Sequence, residues 1–286
     1  MTDKEFNFDQ ISLQQKRQEA INSYPGVWNK VIDEWNRGDV GNSAWLTYAA
    51  NYLLLTNGVR WAIDPYSMST RIRGIPQPDF LHDLQKLELV VLTHAHNDHL
   101  DLELIRAIAP LPIQWVVPAD MVDLLLAKTS LTRKRMIIPS LGKEIEFRGL
   151  SLLPFESLQF HKDGGVKETG YLALFGGRSW LLPGDIRDFD TARLPNFGRV
   201  NGVFAHLWLG KACALLPEPP FLDDYCRFFA SFEPQRVVVA HLYEYGRDET
   251  ELWTESHFEI VRQRFYEIAP QIHVEMALMG SRVSLA

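Results

Sequence analysis

The chain has only two cysteines, Cys213 and Cys226, in 286 residues. That is too few for a disulfide framework, and their spacing is not the C-x-x-C of a thiolate zinc site or redox pair, so both read as ordinary thiols. Long apolar runs are also missing. No stretch of about 18 apolar residues occurs, and the polar start Met1-Thr2-Asp3-Lys4-Glu5 has no apolar core behind it, which excludes a signal peptide or membrane span and points to a cytoplasmic location. Runs rich in Lys or Arg are absent, and a formal net charge of −7 works against phosphate-backbone contacts, so nucleic acid is not an expected partner. What remains is an ordinary globular composition, 46% hydrophobic and 23% charged, enough to bury a core without covalent staples.

From Phe8 to about Arg37 the spacing of Ile11, Leu13, Ile21, Val27, Trp28, Val31, Ile32 and Trp35 predicts helix, broken near Pro25-Gly26. We read residues 1–40 as a helical extension and 41–286 as the main domain. From Ala44 the texture becomes short β-rich runs. Trp45 to Leu55 and Arg60 to Ile63 are separated by Thr56-Asn57-Gly58, whose Asn-Gly pair is a hairpin turn. An apolar strand from Leu87 to Leu92 follows. Helices near 101–108 and 120–128 then alternate with strands near 113–117 and 135–138, a β/α pattern. Glu144 to Phe155, Tyr171 to Phe175 and Ser179 to Leu182 read as a meander with a turn at Gly176-Gly177-Arg178. Strands near 200–209, 236–240 and 272–278 alternate with helices near 222–231 and 255–268. No linker or low-complexity stretch divides this succession.

The strand ending at Leu92 runs straight into His94-Ala95-His96-Asn97-Asp98-His99. A short polar loop at a strand end gives three histidines and an aspartate no core role. Imidazole nitrogens and carboxylate oxygens are ligands for zinc or iron, and alternate residues of a loop can face two adjacent points. His94 and His96 are therefore expected to share one metal while Asp98 and His99 face another.

The segment Leu92-Thr93-His94-Ala95-His96-Asn97-Asp98-His99-Leu100-Asp101 resembles the H-x-H-x-D-H signature of the metallo-β-lactamase superfamily. The resemblance implies an α/β fold, a four-layer αβ/βα sandwich of two similar β-sheet halves with outer helices and the metals at one edge between the sheets. It also asks, in chain order, for a third histidine, a bridging aspartate and a last histidine. His161, Asp185 in Leu182-Pro183-Gly184-Asp185, and His241 at the end of Val237-Val238-Val239-Ala240 fill these places. Asp64, in Ala62-Ile63-Asp64-Pro65, resembles the early aspartate that supports the metal loop from behind.

What the resemblance implies for function is hydrolysis by a metal-activated hydroxide at a two-metal site, with Asp98 holding the second metal and handling the proton. The cofactors are expected to be two divalent ions, zinc first, with manganese and iron also compatible with the donors. The substrate is expected to be a small, anionic molecule with an ester-type bond, phosphodiester or lactone before others. His206, Arg187 and Lys211 are the candidate substrate contacts, and Lys162, Lys167, Tyr243 and Tyr245 lie near the same motifs. The Ala62-Ile63-Asp64-Pro65 start resembles the branch that includes L-ascorbate-6-phosphate lactonase and N-acyl-phosphatidylethanolamine phospholipase D. Where that branch often carries Gly-His-Ala, this chain reads Thr47-Tyr48-Ala49-Ala50-Asn51. Two other classes compete: a non-catalytic metal-binding or partner-binding member of the fold, and a di-iron redox protein.

Overall fold

The computed structural model describes residues 3–159, 165–210 and 221–286. Among the described residues, fourteen strands form two seven-stranded sheets. The first contains β1 (Ser43–Leu46), β2 (Tyr52–Thr56), β3 (Val59–Ile63), β4 (Leu89–Val91), β5 (Gln114–Val116) and β6 (Met136–Ile137). The second contains β7 (Ile145–Phe147), β8 (Leu150–Glu156), β9 (Thr169–Phe175), β10 (Arg178–Leu182), β11 (Gly202–His206), β12 (Arg236–Ala240) and β13 (His273–Met276). The last strand, β14 (Arg282–Ser284), returns to the first sheet and pairs antiparallel with β1. The helices are α1 (Asp3–Arg37), the single turns α2 (Met68–Arg71) and α3 (Phe80–Asp83), α4 (Leu102–Ile108), α5 (Val122–Lys128), α6 (Phe221–Ala230) and α7 (Glu255–Ile268).

Period-two alternation in the strands builds the layers. Along β2, Leu53 and Leu55 pack with Trp28, Val31 and Trp35 of α1, while Tyr52 and Leu54 face the other sheet. Along β12, Val237 and Val239 pack with Phe229 of α6 and Val261 of α7, while Val238 and Ala240 face inward to meet Trp61, Leu89 and Val91. The result is the expected helix, sheet, sheet, helix sandwich. In each sheet an antiparallel portion gives way to parallel strands, β3 to β6 in one and β10 to β13 in the other.

Several local expectations need correction. The helix does not break at Pro25. Proline forfeits one backbone hydrogen bond, but Tyr24, Trp28, Val31, Ile32 and Trp35 form one buried stripe across it. Trp28 Nε1 donates to Asp83 Oδ2 at 2.8 Å and Trp35 Nε1 to the Leu54 carbonyl at 3.0 Å, so tertiary packing holds the helix through. The run 45–55 is two strands, because Thr47 N donates to the Asn51 carbonyl at 2.8 Å and closes a loop between them. The run 144–155 is likewise a hairpin, turning at Arg148-Gly149 where both residues have positive φ. The Asn57-Gly58 turn joins β2 to β3 as expected, with positive φ at both positions. No helix among the described residues is long and apolar enough to cross a membrane.

Candidate metal centre

Strands that run parallel present their C-terminal ends at one edge, and ligands gather there. Here β3, β4, β10, β11 and β12 lead respectively into Asp64, the 94–99 loop, Asp185, His206 and His241. The two sheets therefore deliver these residues to one place from opposite sides. Single ligand atoms of Asp98, His99, Asp185 and His241 lie within 4.8 Å of one another, and so do those of His94, His96 and Asp185. Asp185 belongs to both groups.

Two buried carboxylates set the ring orientations. Asp64 accepts from Thr93 N at 2.8 Å and from Thr93 Oγ1 at 2.5 Å, and its Oδ2 lies 2.8 Å from His99 Nδ1. That contact turns His99 Nε2 toward Asp185 Oδ1, 3.5 Å away. Glu168 does the same for His94: its Oε1 lies 2.9 Å from His94 Nδ1, leaving Nε2 to converge on His96 Nδ1 at 3.0 Å. A carboxylate behind a histidine fixes its tautomer and raises its basicity, the usual support of a metal ligand. Glu168 also accepts from Asp185 N at 3.1 and 3.2 Å. It reaches that position because residue 184 is glycine: a Cβ there would collide with the Glu168 carboxylate, and φ is +78°.

The aspartates are surrounded by histidines. Asp185 Oδ1 lies 2.9 Å from His206 Nδ1 and 3.6 Å from His241 Nδ1, and His241 Nε2 lies 3.2 Å from Asp98 Oδ2. Arg247 Nη2 donates to Asp98 Oδ2 at 2.8 Å and also pairs with Glu244, which accepts from Arg71 Nη2 at 2.9 Å. Burial alone pushes both carboxyls up, but the charges of His241 and His99 and the hydrogen bond from His206 hold Asp185 well below the usual range. Asp98 is likewise held low against burial by His241 and His99. Burial presses His99 down, yet Asp185 and Asp64 raise it well above its ordinary value. His241 stays lowered because burial prevails over its carboxylate neighbours. Within the donor cluster, Asp98 Oδ1 and His99 Nε2 are buried with no hydrogen-bond partner. Orphan donors and acceptors of this kind are rare unless something else satisfies them. Together with the His and carboxylate chemistry of the set, they fit a divalent cation.

The backbone is strained where these side chains are aimed. Asp64 and His241 have φ of +44° and +67°, a conformation a non-glycine residue keeps only when its surroundings demand it. His241 N donates to the Ala49 carbonyl at 2.8 Å. Asn51 ties the same loop to the centre: its Nδ2 donates to the Asp64 and Asp98 carbonyls at 2.9 and 3.0 Å.

The structure thus brings together His94, His96, Asp98, His99, Asp185 and His241, with Asp64 behind His99. His206 stands in the same cluster against Asp185, closer to the chemistry than a substrate contact alone requires. Arg187 lines the cleft that opens onto Asp185. His161, Lys162 and Lys211 lie outside the described residues. Lys167 is exposed. Tyr243 and Tyr245 stack on each other at 5.6 Å and face a groove beside α1, away from the cleft. The sequence reading missed Glu168, Asn51, Glu244 and Arg247. Only Glu168 left a signal, in the glycine that makes room for it.

No curated protein matches the chain. A family model described as a beta-lactamase superfamily domain matches residues 61–208, just over half of the chain. Among solved structures, a metallo hydrolase from the hyperthermophilic archaeon Ignicoccus hospitalis aligns with TM-score 0.60 and 19% identity, covering 85% of this chain and 97% of that one. YhfI from Bacillus subtilis, a metallo-beta-lactamase fold protein, aligns with TM-score 0.60 and 13% identity over 85% and 98% of the chains. CmlA, a diiron beta-hydroxylase from Streptomyces venezuelae, aligns with TM-score 0.61 and 18% identity, covering 85% of this chain and 53% of its own.

Proposed function

The chain belongs to the beta-lactamase superfamily, and from that premise we propose that it is a metal-dependent hydrolase with a two-metal site, acting on an ester-type bond of a small molecule, phosphodiester or lactone. The observation that carries this reading is the shared position of Asp185. One carboxylate stands in both donor groups, beside His94 and His96 on one side and Asp98, His99 and His241 on the other, so the same residue would help to hold a cation in either group.

Divalent cations held there supply Lewis acidity toward a carbonyl or phosphoryl oxygen and bring the pKa of a bound water toward neutrality. The chain's own residues do the rest. Asp64 and Glu168 keep the Nε2 atoms of His99 and His94 pointed at the centre. Asp98, held ionised by its histidine neighbours, turns the unpartnered Oδ1 to the centre as a cation donor and is the carboxylate placed to handle the proton. Asp185 is held at its Oδ1 by the His206 ring and at its backbone N by the Glu168 carboxylate. The donors contain no thiolate and suit zinc first, with manganese or iron as alternatives. We further treat residues 41–286 as the hydrolase domain, with 1–40 as a helical extension that closes one outer layer.

Elemental analysis of freshly purified protein, in parallel with hydrolysis of bis(p-nitrophenyl) phosphate and a lactone, tests the proposal. About two metals per chain with turnover, both lost in Asp185→Ala, is the expected result. Less than about half a metal, not restored by added Zn²⁺ or Mn²⁺, sinks the two-metal reading and promotes a partner-binding role. The same donors suit iron, so coloured protein with two irons and no hydrolysis favours a redox role instead.

A further inference from the structure

Three arginines stand near the centre, and two of them are committed. Arg247 is engaged by Asp98 and Glu244, and Arg71 by Glu244. Arg187 has no carboxylate partner among the described residues, and its Nε, like that of Arg71, is buried without a hydrogen-bond partner. It lines the same cleft as Asp185, His206 and Trp208. Its guanidinium lies over the Trp208 ring, 5.9 Å from the centroid, a contact that orients the group without using its N–H donors.

Arg187 is also held at a set distance from the reacting centre. Its backbone N and that of Asp188 both donate to the Leu158 carbonyl, at 2.8 and 3.0 Å. Ile186, between Asp185 and Arg187, is fully buried in the core of the second sheet and its helices. The two polar residues on either side of it both line the cleft, with at most about 7 Å of chain between their Cα atoms.

We propose that Arg187 is the anchor for a second anionic group on the substrate, a carboxylate or a phosphate-type group set a few bonds from the scissile ester. A planar guanidinium that lines the cleft without a carboxylate partner binds either oxyanion by paired, charge-assisted hydrogen bonds. An unpaired buried donor is costly to maintain, and an incoming anion satisfies it. This names the substrate class on top of the hydrolase reading: an ester or lactone carrying its own negative charge, excluding neutral esters as good substrates.

The test is calorimetric binding of butyrate, succinate and 3-phosphonopropionate to zinc-loaded protein, wild type and Arg187→Gln, with zinc content measured on both. One acid group of each probe is free to meet the metals, and only the last two carry a second. The wild type is expected to prefer the dianions by about tenfold or more, the effect of one charge-assisted hydrogen bond, and Arg187→Gln to bring the ratio close to one. Arg187→Lys, which keeps the charge but not the fork, retains part of the preference. A higher affinity for succinate marks a carboxylate substrate, and for 3-phosphonopropionate a phosphate-type one. Equal binding of all three by the wild type, a preference that survives Arg187→Gln, or loss of zinc in that variant overturns the proposal. Turnover of the p-nitrophenyl esters of the same acids is scored separately. Preference for dianions without any turnover sinks the hydrolase reading and leaves the anchor standing.

Discussion

The two halves of the sandwich supply the candidate centre in different ways. The first sheet delivers four donors from one loop, His94, His96, Asp98 and His99, all within a six-residue span just after β4. The second delivers single residues from three strand ends, Asp185, His206 and His241, separated by 21 and 35 positions. A loop motif is a local object, readable from spacing alone. A donor set gathered from β10, β11 and β12 exists only because those strands lie parallel and end at one edge. The first half holds the centre's address, and the second closes it.

The sharpest way to break this comparison is to remove the residue on which both halves converge. Asp185→Ala should cost more than about 100-fold in metal affinity, beyond the range expected for a supporting residue, as read by competition with a chelator. In the wild type, Zn²⁺ at 100 times its dissociation constant should stabilise the fold by about 2.7 kcal/mol. Thermal melts check this, and an Asp185→Ala protein whose melting temperature still rises equally with Zn²⁺ contradicts the shared position of that carboxylate.

Supporting carboxylates come next. Asp64 supports His99 from within the first half, whereas Glu168 reaches His94 from the second. Asp64→Asn and Glu168→Gln should each weaken metal binding by about 10- to 100-fold. If only Asp64→Asn does so, support across the sheet interface is dispensable and the first half is self-sufficient.

Smaller again is the effect of room made for Glu168. Gly184→Ala places a Cβ against that carboxylate at a positive φ, and should destabilise the fold by about 1–3 kcal/mol. Gly142→Ala also meets a positive φ but opens onto free space, so it should cost about 1 kcal/mol or less. Urea unfolding of the two variants measures the difference, and equal losses remove the special status of residue 184.

The smallest effect lies far from the centre, where α1 meets α7. Lys16 Nζ and Glu255 Oε2 are 2.7 Å apart, with side chains 39% and 44% exposed. The hydrogen bond from Lys16 lowers the Glu255 carboxyl below its ordinary value against a smaller opposing effect of burial. A depressed carboxylate contributes stability above its unfolded pKa and loses it as pH falls through the folded one. Glu255→Gln should therefore cost at most about 0.5 kcal/mol near neutral pH, discounted for exposure, and nothing in strong acid. A penalty that grows on acidification would reverse the assigned sign.

Much of the fold was legible because strand and helix periods are local. β12 and α7 match the ranges read from the sequence, and the Asn57-Gly58 turn joins the strands it was expected to join. Errors fell where distant contacts decide. Pro25 looked like a break until the aromatic stripe around it found the first sheet and its neighbouring helices, and the short β14 has too few residues to show a period before it pairs with β1. Glu168 and Arg247 carry no motif, since what matters about them is which distant residue they touch.

By itself the sequence determined the succession of strands and helices and the cluster of donors at 94–99, whose resemblance to a known signature implied two sheets covered by helices. It did so because hydrophobic periodicity and ligand spacing act over a few residues. That His206 stands against Asp185, that Glu168 stands behind His94, and which arginine is left unpaired were decided only in the tertiary structure. Those facts depend on strand order and register, which bring together positions more than a hundred residues apart, as Asp98 and His241 are.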